Sequence, residues 1–445
     1  MRIYDWTVSA ASHWYPVRIM GAGVFAELEW RGLVHQVTDP ALAGLLVSGH
    51  VTAYCGFDPT AQSLTTAHLL QILGLRRLQM AGHRPIALAG GGTGLVGDPS
   101  GRDSERLLLE TEQVEANVSN IKGQLERLLD FEPGSAQAAL LNNDEWLSPM
   151  LLTHFLRDVG KHFSVNAMLG KDSVRQRLED REQGLSFAEF SYMLLQSYDF
   201  LHLFENYSCE LQVGGSDQWG NITAGIDLIR RVKSQQAYGL TSPLLIGASG
   251  RKMSKSEGGA VWLDARLTSP YRFYQFWFNT EDALVVQFLK YFTFADRDRI
   301  EELAAEVVTR PHDRQAQTTL AAAMTTLVHG EGETEKAIRA SKALFSQEIA
   351  GLDEATLLDV LGEAPSSTFS RAQVEEGLPL VDLLVETGLS SSKSESRQHL
   401  SGGGVYVNNL RVSEADRRLN TADLLLGKYV ALRRGKKSHH LIYFQ

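Results

Sequence analysis

The chain has 445 residues, 43% of them hydrophobic, a formal net charge of −10 and two cysteines. That length calls for two or three domains with sizeable cores. No apolar run is long enough to span a bilayer, and Cys55 and Cys209 cannot by themselves build a disulfide framework, so a reducing compartment is expected.

The first 19 residues hold Arg2 and Arg18 but also Asp5, and they lack a continuous apolar segment. They read as neither a secretory signal nor a good transit peptide, so the expected location is cytoplasmic, with Met20 an alternative start. The run Val51 to Phe57 fits a buried strand, broken by Asp58-Pro59-Thr60. Ser63 is a candidate N-cap, and apolar residues from Leu64 to Leu78 follow helical spacing until Ala81-Gly82. Pro85 to Ala89 reads as a second buried strand entering Gly90-Gly91-Gly92-Thr93-Gly94. Strand, helix, strand and a Gly-rich turn make a nucleotide-binding βαβ unit, with ligand groups at the carboxyl ends of the strands.

Arg106 to Phe131 has a helical pattern closed by Pro133-Gly134. Ala138 to Leu141 is a candidate strand, and Trp146 to Met168 an insertion beyond it. Phe187 to Phe204 is a strong helix, Leu211 to Val213 a short strand, and Ser216 caps a helix to about Arg231. Such alternation argues for a parallel sheet covered by helices. Arg251 to Gly259 is an exposed loop, and Pro270 to Phe345 is helix-rich with a break at Pro311. Ala364 to Thr368 marks a linker, and beyond it come two short helices and strands at Val405 to Asn408 and Tyr429 to Leu432. From Lys393 onward ten Lys and Arg stand against four Asp and Glu, so a module of +6 follows a body of −16. A basic module on an acidic body suggests a polyanionic partner; a merely solvated surface is the alternative.

Three segments carry chemistry. Tyr192, Gln196 and Asp199 share one helix face among apolar neighbours, where polar groups need a ligand or an internal hydrogen-bond network. Lys252 and Lys255, three apart on a polar loop, suit transient contact with a polyphosphate, although most lysine pairs are only solvated. The glycines at 90–94 and Gly97-Asp98-Pro99-Ser100-Gly101 leave bare backbone and one carboxylate at a strand end, which a turn alone would also require.

Taken in order and spacing, Tyr54 to Thr60, Gly94 to Gly101, Tyr192 with Gln196 and Asp199, Gly214 to Asn221 and Lys252 to Ser256 make the chain from about Phe25 onward resemble the bacterial-type tyrosyl-tRNA synthetases, a class I aminoacyl-tRNA synthetase family. The resemblance implies ATP-dependent activation of L-tyrosine to tyrosyl-adenylate, then transfer to tRNA(Tyr). The implied fold is α/β: a Rossmann-like parallel-sheet catalytic domain, an all-α domain, and a small α+β S4-like RNA-binding domain. Its boundaries would be an extension at 1–24, the catalytic domain with a dimerisation insertion at 25–242, and the lysine-loop region at 243–267. A helical domain at 268–347, a linker at 348–377 and the RNA-binding domain at 378–445 would follow.

By the same resemblance, Tyr54 and Asp199 hydrogen-bond the substrate phenol, whose hydroxyl both donates and accepts. Asp98, Asn143, Tyr192, Gln196 and Gln212 surround the rest of tyrosine. Cys55, Gly56, Gly215, Asp217 and Gln218 contact the ribose or adenylate. Asp58, Thr60, Thr65 and His68 lie at the phosphates, Lys252 and Lys255 close over the pyrophosphate, and Arg102 and Arg106 assist. Mg²⁺ accompanies ATP, with no resident metal or tightly bound cofactor. Lys393, Arg397, Arg411, Arg433, Arg434, Lys436 and Lys437 engage tRNA, and a homodimer forms through the region of Trp146 to Met168 and Phe187, with no membrane partner.

One departure stands out. Where the family has His-Ile-Gly-His, this chain has Thr65-Thr66-Ala67-His68, so a hydroxyl replaces the first imidazole and a methyl is added where adenine lies. A working but altered adenylation site is expected. A catalytically impaired paralogue that retains RNA binding and a tryptophan-specific enzyme are the alternatives.

Overall fold

The computed structural model describes residues 23–100, 109–171, 174–175, 184–246, 259–343, 347–362, 364–435 and 438–445. The expected loop lysines Lys252 and Lys255, together with Arg102, Arg106, Lys436 and Lys437, lie outside the described residues. The chain divides into two compact units, residues 1–267 with 280–320, and 268–279 with 321–445. The helical stretch expected at 268–347 is therefore shared between them.

The first unit is built on a six-stranded sheet: β1 (Gln36–Val37), β2 (Thr52–Phe57), β3 (Arg84–Ala89), β4 (Ala139–Asn142), β5 (Cys209–Gly215) and β6 (Tyr238–Ser242), in the order β1-β6-β5-β2-β3-β4. All pairings are parallel except β1 with β6. The order runs outward from β2 through β3 to β4, then returns to β5 on the other side of β2. That reversal opens a crevice beyond the carboxyl ends of β2 and β5. Pro85 is tolerated in a central strand because β4 begins to pair with β3 only at Ile86.

Helix α3 (Thr66–Met80), preceded by the short helices α1 (Gly23–Trp30) and α2 (Ala41–Ser48), connects β2 to β3 and buries Leu69, Ile72, Leu73 and Leu75. Burial of each such side chain stabilises by roughly 1.5–3 kcal/mol relative to exposure. It ends where Gly82 takes φ +94°, a left-handed conformation natural to glycine. On its inner side Arg77 is fully buried, and its guanidinium donates to the carbonyls of Tyr291 (2.9 Å) and Thr293 (2.8 Å), satisfying the end of the helix Asp282–Phe292. Beyond α4 (Thr111–Leu128) and β4, the described residues of the insertion include α5 (Asp144–Leu147), short helices at Leu152–Asp158 and Val165–Leu169, and a 3₁₀ turn at Gly160–His162. The long helix Phe187–Tyr207 is capped by Ser186, whose hydroxyl accepts from Glu189 N–H (3.3 Å). It packs on Trp219–Lys233, where Phe200 lies against Gly225, a position a larger residue would crowd. The helix expected to begin at Ser216 starts instead with a 3₁₀ turn over Ser216–Gln218.

The second unit carries a sheet in the order β10-β9-β12-β13-β7, made of β7 (Ser366–Phe369), β9 (Val405–Val407), β10 (Leu410–Val412), β12 (Tyr429–Arg434) and β13 (Ser438–Phe444). Short strands β8 (Leu378–Pro379) and β11 (Arg418–Leu419) pair separately. Helices Leu380–Glu386 and Lys393–Ser401 pack their leucines into the same core as Val430, Ile442 and Phe444. The stretch read as a linker is structured here: Glu354–Leu361 is helical, and β7 pairs in parallel with β13.

Candidate active site

The crevice forms a cavity of about 590 Å³, bordered by β2, the start of α3, the Gly-rich turn, the helix Phe187–Tyr207 and the end of β5. This volume suits a small ligand. Tyr54, Cys55, Gly56, Asp58, Thr60, Thr65, His68, Asp98, Asn143, Tyr192, Gln196, Asp199, Gln212, Gly215, Asp217 and Gln218 all line it. Residues far apart in sequence are thus brought to one wall.

At the inner end, Asp199 is buried and its two oxygens accept from Trp146 Nε1–H (2.7 Å) and Asn143 Nδ2–H (2.9 Å). Burial outweighs these two donors and pushes its carboxyl up to about 7. Tyr54 reaches the same cavity from β2, its ring 5.2 Å from that of Phe200. Its hydroxyl is buried and has no hydrogen-bond partner among the described residues. Burial, then the Asp199 charge, raises the Tyr54 phenol well above its ordinary range. Nearby Gln212 is buried with its Oε1 likewise unsatisfied.

A polar network joins this end to the mouth. The Asn143 amide has a fixed sense, because its Oδ1 accepts from Gly92 N–H (2.8 Å). Its Nδ2 donates to both Asp199 and Thr93 Oγ1 (2.9 Å). Thr93 in turn donates to Asp58 Oδ1 (3.0 Å), whose Oδ2 accepts from Tyr192 (3.0 Å). A second arm runs from Asp98, which accepts from Gln218 Nε2–H (2.7 Å) and Ser100 N–H (2.9 Å). Gln218 accepts from Gln196 (3.1 Å), and Asn221 donates to Gln196 Oε1 (2.9 Å) and to Ser100.

One expectation needs correction. Ser63 does not cap α3; its hydroxyl bonds Leu64 O (2.8 Å) while Gln124 and the Asp264 N–H donate to it. Thr65 is the cap, in a box closed by His68: His68 Nδ1 accepts from Thr65 N–H (3.0 Å) and lies 3.0 Å from Thr65 Oγ1. That fixes Nδ1 as the bare nitrogen and leaves the proton on Nε2. A methyl at Gly90, which also lines the cavity, would collide with the Asp58 carboxylate and the Thr93 hydroxyl, and one at Gly94 with Pro59.

Thr93, Trp146 and Asn221 were not singled out from sequence. Thr93 and Asn221 lie inside the motifs above, whereas the sequence places Trp146 only at the start of the insertion and the implied dimer region. Cys55 is buried, and its thiol is pushed up to about 12, so it is present as the neutral thiol.

Among the basic residues of the second unit, Arg433 is only 9% exposed. Its guanidinium lies 3.7 Å over the Tyr406 ring and donates to Asn409 and to Gly435 O (2.7 Å). Two of its five donors are thus taken up inside the protein. Arg397 and Arg411 are exposed, although Arg411 also donates to Gly403 O (2.7 Å). Lys393 pairs with Asp382 (2.8 Å), and Arg434 approaches Glu395 (3.7 Å).

A parallel sheet with a polar crevice at the reversal of strand order is the architecture of the class I aminoacyl-tRNA synthetases. The family described as tRNA synthetases class I (W and Y) matches residues 47–346, and the C-terminal domain of the tyrosine–tRNA ligase SYY-like type matches 359–442. The chain is 53% identical over 420 residues to a tyrosine–tRNA ligase of Roseiflexus castenholzii, covering 94% of this chain and 99% of that one. It is 52% identical to a tyrosine–tRNA ligase of Geobacillus stearothermophilus, over 95% and 99% of the two chains. A solved C-terminally truncated mitochondrial tyrosyl-tRNA synthetase of Aspergillus nidulans superposes with TM-score 0.66 at 32% identity, covering 73% of this chain and 95% of that one. The chain belongs to the tyrosine–tRNA ligases, which activate tyrosine with ATP and transfer it to tRNA. The tryptophan-specific alternative gives way to this.

Proposed function

We propose that the cavity divides into a phenol pocket and a nucleotide mouth. Tyr54 and Asp199 hold the substrate hydroxyl: Asp199 keeps acceptor capacity beyond its two protein donors, and the Tyr54 hydroxyl has a donor to give. The carrying observation is the buried, unsatisfied Tyr54 hydroxyl facing the same cavity as the Asp199 carboxylate. Asp98, Asn143, Tyr192, Gln196 and Gln212 position the ammonium group and the amino-acid backbone. Cys55, Gly56, Gly215, Asp217 and Gln218 take the ribose and adenylate.

The phosphates lie at Asp58, Thr60 and His68, with Thr65 acting through His68. Lys252 and Lys255 join them from a segment flanked by Leu244 and Trp262, both of which line the cavity. The flank is anchored there, since Thr66 N–H donates to Val261 O (3.0 Å) and Leu263 N–H to Leu64 O (2.9 Å). Mg²⁺ enters as part of the ATP substrate.

In this reading the tyrosine carboxylate attacks the α-phosphorus, the bond to the bridging oxygen breaks, and pyrophosphate leaves. The His68 Nε2–H and the two ammonium groups stabilise the charge that develops on the phosphate oxygens. The terminal adenosine hydroxyl of tRNA then attacks the adenylate carbonyl and AMP departs.

Leu151, Leu152, Val165 and Phe187 are exposed by 58–78%, an apolar surface that supports a homodimer contact in this region. Phe187→Asp would then sediment as a monomer, and an unchanged species would refute the contact. Lys393, Arg397, Arg411, Arg434, Lys436 and Lys437 are proposed to meet tRNA phosphates. A cytoplasmic setting is supported by Cys55 and Cys209, both buried and unpaired; among the described residues no helix is long and apolar enough to cross a membrane. Tyrosine-dependent ATP–pyrophosphate exchange tests the adenylation reading: exchange saturating with tyrosine is expected, and none at saturating ATP would refute it and leave the impaired paralogue.

A further inference from the structure

We infer that His202 is a positioning residue for phenol recognition: its imidazole, stacked on the indole of Trp146, holds in place the N–H that supports the Asp199 carboxylate. The inference rests on the proposed assignment of Asp199 to the substrate hydroxyl. Neither Trp146 nor His202 lines the cavity, so neither touches substrate in that reading.

The support of Asp199 is unequal. Asn143 is locked by its bonds to Gly92 and Thr93, but Trp146 stands on α5, a helix of only four residues, and its aim depends on the side chain. The Nε1–H to Asp199 bond, at 2.7 Å to a buried carboxylate, belongs to the strong charge-assisted kind and loses strength quickly when the indole turns. His202 prevents that turning. Its ring lies parallel to the indole, 4.3 Å between centroids at an interplanar angle of 14°.

Asp199 and His202 sit three residues apart on the helix Phe187–Tyr207, so one rigid element grips the indole by its edge and by its face. His202 is itself held. Asn206, one turn on, donates to His202 O (2.9 Å) and has its amide 3.4 Å from Nδ1, and the rings of Tyr198 and Tyr207 each lie 6.3 Å away. Stacked aromatic pairs contribute enough to change an affinity by about three- to tenfold. A phenol that loses a well-aimed carboxylate is affected, whereas the nucleotide mouth is not.

The test is steady-state pyrophosphate exchange on His202→Ala, His202→Leu and His202→Phe, with Asp199→Asn as reference. For Ala and Leu, KM for tyrosine should rise about three- to tenfold with KM for ATP within twofold of wild type, and preference for tyrosine over phenylalanine should fall by the same factor. Phe, a flat ring able to stack, should restore both to within twofold. Leu keeps the volume without the stacking, so it serves where Ala fails to fold. An unchanged tyrosine KM in a folded Leu variant, equal losses for tyrosine and ATP, or failure of Phe to rescue would each overturn the inference. If Asp199→Asn leaves tyrosine KM unchanged, the assignment of Asp199 is what fails; if Asp199→Asn raises it and His202→Leu does not, only the role of His202 fails.

Discussion

Removing one oxygen from Tyr54 should move stability and substrate binding in opposite directions. The ring is 1% exposed and its hydroxyl has no partner among the described residues. A buried hydroxyl without a hydrogen bond costs about 1–3 kcal/mol. Tyr54→Phe leaves the ring and its contact with Phe200 in place while relieving that cost, so the substrate-free protein should be more stable by about 1 kcal/mol or more. Once tyrosine is bound, the same hydroxyl becomes a donor to the phenolic oxygen. Its loss forfeits one neutral hydrogen bond of about 0.5–1.5 kcal/mol, a rise in tyrosine KM of roughly two- to tenfold. Phenylalanine, which offers no oxygen to leave the hydroxyl satisfied, should gain relative to tyrosine. Thermal unfolding without ligand and pyrophosphate exchange with each amino acid read the two halves. A lower unfolding temperature, or a tyrosine KM unchanged within twofold, would refute the reasoning.

Asp199→Asn should flatten two pH dependences. With its folded-state carboxyl raised from 3.8 to about 7, Asp199 destabilises the folded state increasingly as pH climbs from about 4 through 7, on the order of 4 kcal/mol in all. Over the same rise its carboxylate form, the acceptor for the phenol, becomes populated, so wild-type tyrosine KM should fall between pH 6 and 8. Unfolding midpoints and KM measured across that range check both, and equal slopes in wild type and variant would contradict them. Thr93→Val removes the hydroxyl between Asn143 and Asp58, leaving a buried donor and a carboxylate each short of a partner. Exchange activity should fall at least tenfold while Thr93→Ser retains it, and equal activities would exclude the network from function. Arg433→Ala should lower the unfolding temperature of the second unit, through loss of two hydrogen bonds and the Tyr406 contact worth about 2 kcal/mol together. Arg397→Ala should leave melting unchanged but weaken tRNA binding and reduce its salt slope by about one; filter binding over a salt series decides.

Much of the first unit was legible because its signals are local. The β-branched run at 51–57, the helical spacing after Leu64 and the apolar strand at 85–89 each report burial on their own. The joint spacing of motifs then named the cavity wall. What escaped depends on contacts distant in sequence. Trp146 matters through Asp199, 53 positions away, and Thr93 through Asp58, 35 positions away. That Asp58 and Thr93 leave no space for a methyl at Gly90 is equally invisible in the local sequence. Ser63 and Thr65 are both good caps by composition, and the choice fell to Thr65 because His68 stands three residues on. In the second unit, Ser366–Phe369 is too polar and short to announce a strand; it becomes one by pairing with β13. The packing of Arg433 on Tyr406 and Asn409 depends on residues 27 and 24 positions away, which its own sequence neighbours do not report.

The central claim is that one phenol and one carboxylate select a hydroxylated ring. A crystal structure of the protein with L-tyrosine bound tests it most directly. The phenolic oxygen should lie about 3 Å from both Tyr54 Oη and an Asp199 carboxylate oxygen, with Trp146 Nε1 still bonded to the other. Tyrosine bound with its ring turned away from this pair, and its hydroxyl on other groups or on water, would contradict the account.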